Sequence, residues 1–142
     1  YGIRLRRIEA ATKINQGQPK KVVSHTLDLL NSNGHTAPHE VLLLGITYKP
    51  DVPDLRESPA LTIWKLFKKN GVRVNYHDPH IPEFNGIRSL DLTRDMVQKN
   101  HIVVVVTNHS SIDYPSLLTY NVPILDTRNV FPGINHSRLY RL

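Results

Sequence analysis

Cysteine is absent from this chain of 142 residues, which excludes disulfides and thiolate chemistry within it. The same absence fits a protein of the cytoplasm. No apolar run approaches the roughly 18 residues of a membrane-spanning helix, and no secretory leader is visible at the start. The G-x-G-x-x-G fingerprint of a dinucleotide clamp is missing, for Gly45 stands alone behind its strand. There is no internal repeat and no low-complexity tract. The net charge of +6 favours an anionic partner. Its basic residues are dispersed, however, with the densest group at Arg4, Arg6 and Arg7. No strand interleaves aromatic and basic residues, so a nucleic-acid-binding face is not expected.

Alternating patterns fill the chain. Residues 2–33 read as helical, with Ile3, Leu5, Ile8, Ala11 and Ile14 on one stripe and Val22, Val23, Leu27 and Leu30 on another. Pro19 either kinks this helix or opens a second one, and Gly34 stops it. A polar stretch follows, and the pattern divides the chain into a helical segment, 1–34, and a second unit, 35–142. The first residue is Tyr1, and the helical pattern begins at once. The chain is therefore expected to be part of something longer.

From Val41 onward, strands alternate with helices. Val41–Ile46, Val72–Tyr76, Ile102–Thr107 and Val122–Leu125 read as strands, and Ser137–Leu142 as a short last one. Ser58 and Pro59 predict an N-cap and first turn for a helix carrying Ala60, Ile63, Trp64 and Phe67. Further helices are expected over Leu90–Lys99 and Tyr114–Tyr120. This alternation implies an α/β fold, a Rossmann-like parallel sheet with helices on both faces. Right-handed crossovers give the strand order 2-1-3-4, with a switch point between strands 1 and 3.

Ligands of such sheets bind at the carboxyl ends of the strands. The loop after the first strand is dense in charge, with Lys49, Asp51, Asp54, Arg56 and Glu57. Lys49 offers a point charge and Arg56 a two-pronged donor for phosphate. A local ion-pair network among these five residues fits the spacing equally well. Arg128, behind the fourth strand, lies on the same edge, where it can join an anion site or pair with Asp126. His77 and His80 are expected to belong to a turn around Asp78-Pro79 rather than to a metal site. His109 is expected to be exposed in its loop. Thr107, Ser110 and Ser111 lack a base, so no catalytic set can be assembled.

The stretch LGITYKPDVPDLRESPAL strongly resembles a signature of the UDP-glucose/GDP-mannose dehydrogenases, in their carboxyl-terminal domain. VNYHDPHIPE at 74–83, VVVTNHSSIDY at 104–114 and ILDTRN at 124–129 agree in order and spacing. The phrases HDPHIPE and NHSSIDY look most like the UDP-N-acetylglucosamine 6-dehydrogenase branch. The leading segment looks like the end of the family's central, dimerising helical region. The resemblance implies an enzyme that oxidises a sugar C6 alcohol to a carboxylate, with two NAD per turnover. NAD would be held mainly by an amino-terminal domain, which would also bring the cysteine nucleophile, so this chain would not act alone. The implied partners are a UDP-sugar, that NAD-binding domain and a second copy in a homodimer, with neither nucleic acid nor membrane. By position, Tyr48, Lys49 and Arg128 match substrate-binding residues of the family, and Arg56 matches an arginine near the cofactor. Asn108 departs from the aspartate often found before the histidine. The competing expectation is a non-catalytic nucleotide-binding or regulatory module that kept the fold.

Overall fold

The computed structural model describes residues 18–34 and 37–142. The arginine cluster and the stripe from Ile3 to Ile14 lie outside these residues. The first described element is a helix, α1, over 18–32; Gly34 follows it with a φ of +80°. Gly34 adopts without strain the left-handed conformation that ends a helix.

The remaining elements are β1 (Glu40–Leu44), α2 (Pro59–Lys69), β2 (Arg73–His77), β3 (Glu83–Phe84), β4 (Ile87–Arg88), α3 (Arg94–Gln98), β5 (Ile102–Val105), α4 (Tyr114–Leu117), β6 (Ile124–Asp126) and β7 (Leu139–Arg141). A 3₁₀ turn, Leu118–Tyr120, extends α4. Five strands form one sheet in the order β2-β1-β5-β6-β7, and every neighbouring pair is parallel. The order expected from the alternation is thus the one observed, with β7 added at the far edge.

The two faces of the sheet explain why β1 and β5 are apolar throughout. Val41, Leu43, Ile102 and Val104 pack on one side with Val22, Val23 and Leu30 of α1 and Ala60, Ile63, Trp64 and Phe67 of α2. Leu42, Leu44, Val103 and Val105 pack on the other with Val97 of α3 and Leu117 of α4. A strand covered on both faces has no polar side to expose.

Two elements depart from the expected pattern. The helix expected over Leu90–Lys99 is confined to α3, capped by the Thr93 hydroxyl, which accepts from the Met96 N–H. Leu90 instead lies alongside β2, donating its N–H to the Tyr76 carbonyl, and Leu90 and Leu92 pack against the second core layer. The β3–β4 hairpin was not anticipated. Asn85 and Gly86 turn it with φ of +56° and +77°, the paired positive angles that an Asn-Gly turn supplies.

Candidate functional site

Because every strand of the sheet runs parallel, the loops behind β1, β5 and β6 emerge on one edge. The β1 loop closes on itself where the Tyr48 N–H donates to the Asp54 carbonyl at 2.7 Å. Inside it the Thr47 hydroxyl donates to the Lys49 carbonyl at 2.8 Å. The Thr107 hydroxyl, arriving from the β5 loop, donates to the Thr47 carbonyl at 2.7 Å. The loop that presents Tyr48 and Lys49 is therefore held from within and from its neighbour.

A cavity of about 450 Å³ opens at this edge, lined by Gln18, Tyr48, Lys49, Pro50, Glu57, Pro59, Thr107, Asn108 and Arg128. It has the size of a small-molecule cleft. Lys49 and Arg128 bring positive charge to it from two different loops, and Pro59 places the amino end of α2 in its wall. A helix amino terminus adds a partial positive charge. Lys49 Nζ lies 5.9 Å from the centre of the Tyr48 ring. Among the described residues, no salt bridge involves Lys49. The Arg128 backbone N–H donates to Asp126 Oδ1 and its Nε to the Val106 carbonyl at 2.8 Å. Arg128 is thus tied to Asp126 through its backbone, while its guanidinium spans to the β5 end.

Tyr48, Lys49 and Arg128, singled out in the sequence, come together here. Arg56 does not join them. Its side chain is 88% exposed and pairs with Asp54 at 3.2 Å. That arginine, through its side chain and then its backbone N–H, holds the Asp54 carboxyl below the usual range. The ion-pair network considered for the loop is real for Asp54 and Arg56 but does not extend to Lys49.

The β1 loop carries one glycine, Gly45, with a φ of +83°. A Cβ there would lie 2.4 Å from the Thr107 carbonyl oxygen. The space a dinucleotide clamp would need is taken by the β5 loop. Gly45 and the Thr107 backbone packed on it do not form a pyrophosphate cradle for NAD.

His109 is not exposed in its loop as the sequence suggests. It is fully buried, with Nε2 at 2.8 Å from Asp78 Oδ2 and Nδ1 accepting from the Asp51 N–H at 2.9 Å. Asp78, expected only as a turn residue, is also buried, and its Oδ2 accepts the Ile46 N–H at 2.8 Å. Nothing in the order T-N-H-S-S distinguishes such a histidine from a surface one; the strand order β2-β1-β5 brings Asp78 beside it. Asp51 in turn accepts from the Ser110 N–H and hydroxyl, which, in that order, hold its carboxyl below the usual range. Ligand atoms of Asp51, His80 and His109 lie within 4.8 Å of one another, but both nitrogens of His109 are already engaged within the protein.

Comparison with known proteins agrees with this architecture. The model of the UDP-glucose/GDP-mannose dehydrogenase family, UDP binding domain, matches residues 42–133. The chain is 31% identical to a UDP-N-acetyl-D-mannosamine dehydrogenase of Methanococcus maripaludis, over 87% of this chain and 30% of that protein. It is 26% identical to a UDP-glucose 6-dehydrogenase of Rhizobium meliloti, over 89% of this chain and 31% of that one. The solved structure of a UDP-N-acetyl-mannosamine dehydrogenase from Staphylococcus aureus superposes with a TM-score of 0.73 at 28% identity, covering 91% of this chain and 31% of that one. The chain thus spans about a third of the length of the relatives it matches.

Proposed function

The chain belongs to the UDP-glucose/GDP-mannose dehydrogenase family, whose UDP binding domain it matches over residues 42–133, and on that premise we propose that its sheet-edge cavity binds a UDP-sugar. The observation that carries this is the convergence of Tyr48, Lys49 and Arg128, from the β1 and β6 loops, on one cavity. Lys49 and Arg128 supply charge-assisted donors for the diphosphate, the strongest kind of hydrogen bond available to it. Tyr48, 44% exposed, offers an aromatic face to the base or sugar. Glu57 and Asn108 in the lining provide acceptors for hydroxyls.

The sugar is a 2-acetamido hexose in this proposal, with UDP-N-acetylglucosamine the first candidate. Its support is the HDPHIPE and NHSSIDY phrasing, together with relatives named for an N-acetylated substrate. The whole enzyme would oxidise the sugar C6 alcohol to a carboxylate, in the cytoplasm and as a dimer. NAD, the hydride acceptor, would be bound by another domain. Arg56, exposed and not part of the cavity lining, would meet that cofactor. Residues 1–34 would be the end of the central helical region and 35–142 the nucleotide-sugar unit. Among the described residues no helix is long and apolar enough to cross a membrane.

Calorimetric titration of UDP, UDP-N-acetylglucosamine, UDP-glucose and GDP tests the proposal. Uridine nucleotides should bind in preference to GDP. Lys49→Ala should weaken UDP binding by about 1.5–3 kcal/mol, the worth of a hydrogen bond to a charged group. Unchanged affinity in that variant would remove Lys49 from the site.

A further inference from the structure

The loops behind β2, β1 and β5 leave the carboxyl edge of the sheet side by side, and one buried side chain touches two of them from the third. His109, in the β5 loop, faces Asp78 behind β2 through Nε2 at 2.8 Å and the Asp51 N–H of the β1 loop through Nδ1 at 2.9 Å. A backbone N–H is always a donor, so Nδ1 must carry the lone pair. In a neutral imidazole the proton then sits on Nε2, where the Asp78 carboxylate accepts it. The same carboxylate oxygen accepts the Ile46 N–H at 2.8 Å, at the start of the β1 loop. Asp78 Oδ1 accepts from the His80 N–H at 2.8 Å. The Thr47 hydroxyl stands 3.2 Å from Nε2, and the Tyr114 hydroxyl donates to the His109 carbonyl at 2.9 Å.

We propose that His109 is a positioning residue for the ligand-facing loop 46–54, acting in its Nε2–H tautomer as a strut between Asp78 and the Asp51 N–H. One end of the loop is fixed where Ile46 meets Asp78, and the far turn is fixed where Asp51 meets His109. Tyr48 and Lys49 lie between those two points. Asp51 has a φ of +65°, a left-handed backbone that a non-glycine residue keeps only when its surroundings hold it. His109 and Ser110 supply that hold from the same loop. A histidine serves here because it accepts at one nitrogen while donating at the other, and its rigid ring fixes the distance between the two. The effect on ligand affinity rests on the UDP-sugar proposal above; the strut itself does not.

The test combines one spectrum with two variants. Nitrogen-15 spectra of the unmodified chain at neutral pH should show His109 protonated on Nε2 and bare on Nδ1. His109→Asn places an amide oxygen near the Nδ1 position and keeps an acceptor for Asp51. His109→Gln reaches towards the Nε2 position and leaves the Asp51 N–H unpaired. Amide exchange at Asp51 should rise about tenfold or more in the glutamine variant and stay within about twofold in the asparagine variant, as local opening predicts. UDP affinity should follow the same ranking. A packing role alone would not separate the two variants in that order. A proton on Nδ1 in the neutral ring, or equal exchange in the two variants, would overturn the proposal. If both variants fail to fold, the tautomer spectrum of the unmodified chain decides. If UDP does not bind the unmodified chain, the ligand proposal is contradicted, while exchange at Asp51 still decides the strut.

Discussion

Gly45 illustrates how little freedom single residues have at this edge. Its φ of +83° and the 2.4 Å between a hypothetical Cβ and the Thr107 carbonyl oxygen leave no room for a side chain. Gly45→Ala should destabilise the fold by about 2–4 kcal/mol, in the range of overpacking combined with backbone strain, as read by chemical denaturation. Asp126 is equally constrained: it is 3% exposed and accepts the N–H groups of Arg128 and Phe131. Asp126→Ala would leave two donors unpaired and should cost about 2–6 kcal/mol at about 1–3 per group, and it would misplace Arg128. The carboxyl of Asp51 behaves differently, because it is exposed and held below its ordinary range by Ser110. A depressed carboxyl contributes stability above its unfolded value, near 3.8, and loses it as pH falls through the lower folded value. The bond between the β1 and β5 loops should therefore persist at neutral pH and release only below about pH 4, as amide exchange at Ser110 would show. Charge at Lys49 and Arg128 was legible in the sequence because each follows an apolar run. The burial of His109 and Asp78 was not, since it depends on which strand lies beside which.

At the scale of elements, α2 follows its sequence most closely. Ser58 caps it by accepting the Ala60 N–H, Pro59 occupies its first turn, and Lys68 and Lys69 sit in its last. Ser58 has a second task, for its hydroxyl donates to the Ile46 carbonyl at 2.7 Å, so the cap also ties the helix to the β1 loop. Ser58→Ala should lower stability by about 1–3 kcal/mol, more than an ordinary cap, because a buried carbonyl also loses its donor. Thermal unfolding checks this, and a loss typical of an exposed cap would mean that the Ile46 bond contributes nothing. The short pieces were harder to read. Each of β3 and β4 has two residues, too few to show a period, although Asn85-Gly86 carries its own turn signal. The stretch before α3 contains Leu90 and Leu92, whose i, i+2 spacing puts both on one face only in an extended chain, and the Tyr76 carbonyl holds Leu90 in that form.

For the whole molecule, the alternation of apolar runs and capped helices was enough to give the sheet and its order. The position of the site followed from that order, because parallel strands deliver their following loops to one edge. What sequence periodicity could not supply is the cavity itself, whose wall includes Gln18 of α1 and Asn108 of the β5 loop beside the expected cations. On the proposed reading, the oxidation of the sugar also needs another domain. With no cysteine and with Gly45 packed against Thr107, the chain by itself should reduce no NAD in the presence of any UDP-sugar. Measurable turnover would contradict the division of labour proposed here. In the proposed function, uridine diphosphate binds at the carboxyl edge, between the loops of β1, β5 and β6. Its most direct test is to follow backbone amide resonances while UDP is added. Saturable shifts centred on Tyr48, Lys49, Asn108 and Arg128, weakened in Lys49→Ala, are expected. Shifts centred instead on the opposite edge, at Asn100, Asn121 and Arg138, would contradict it.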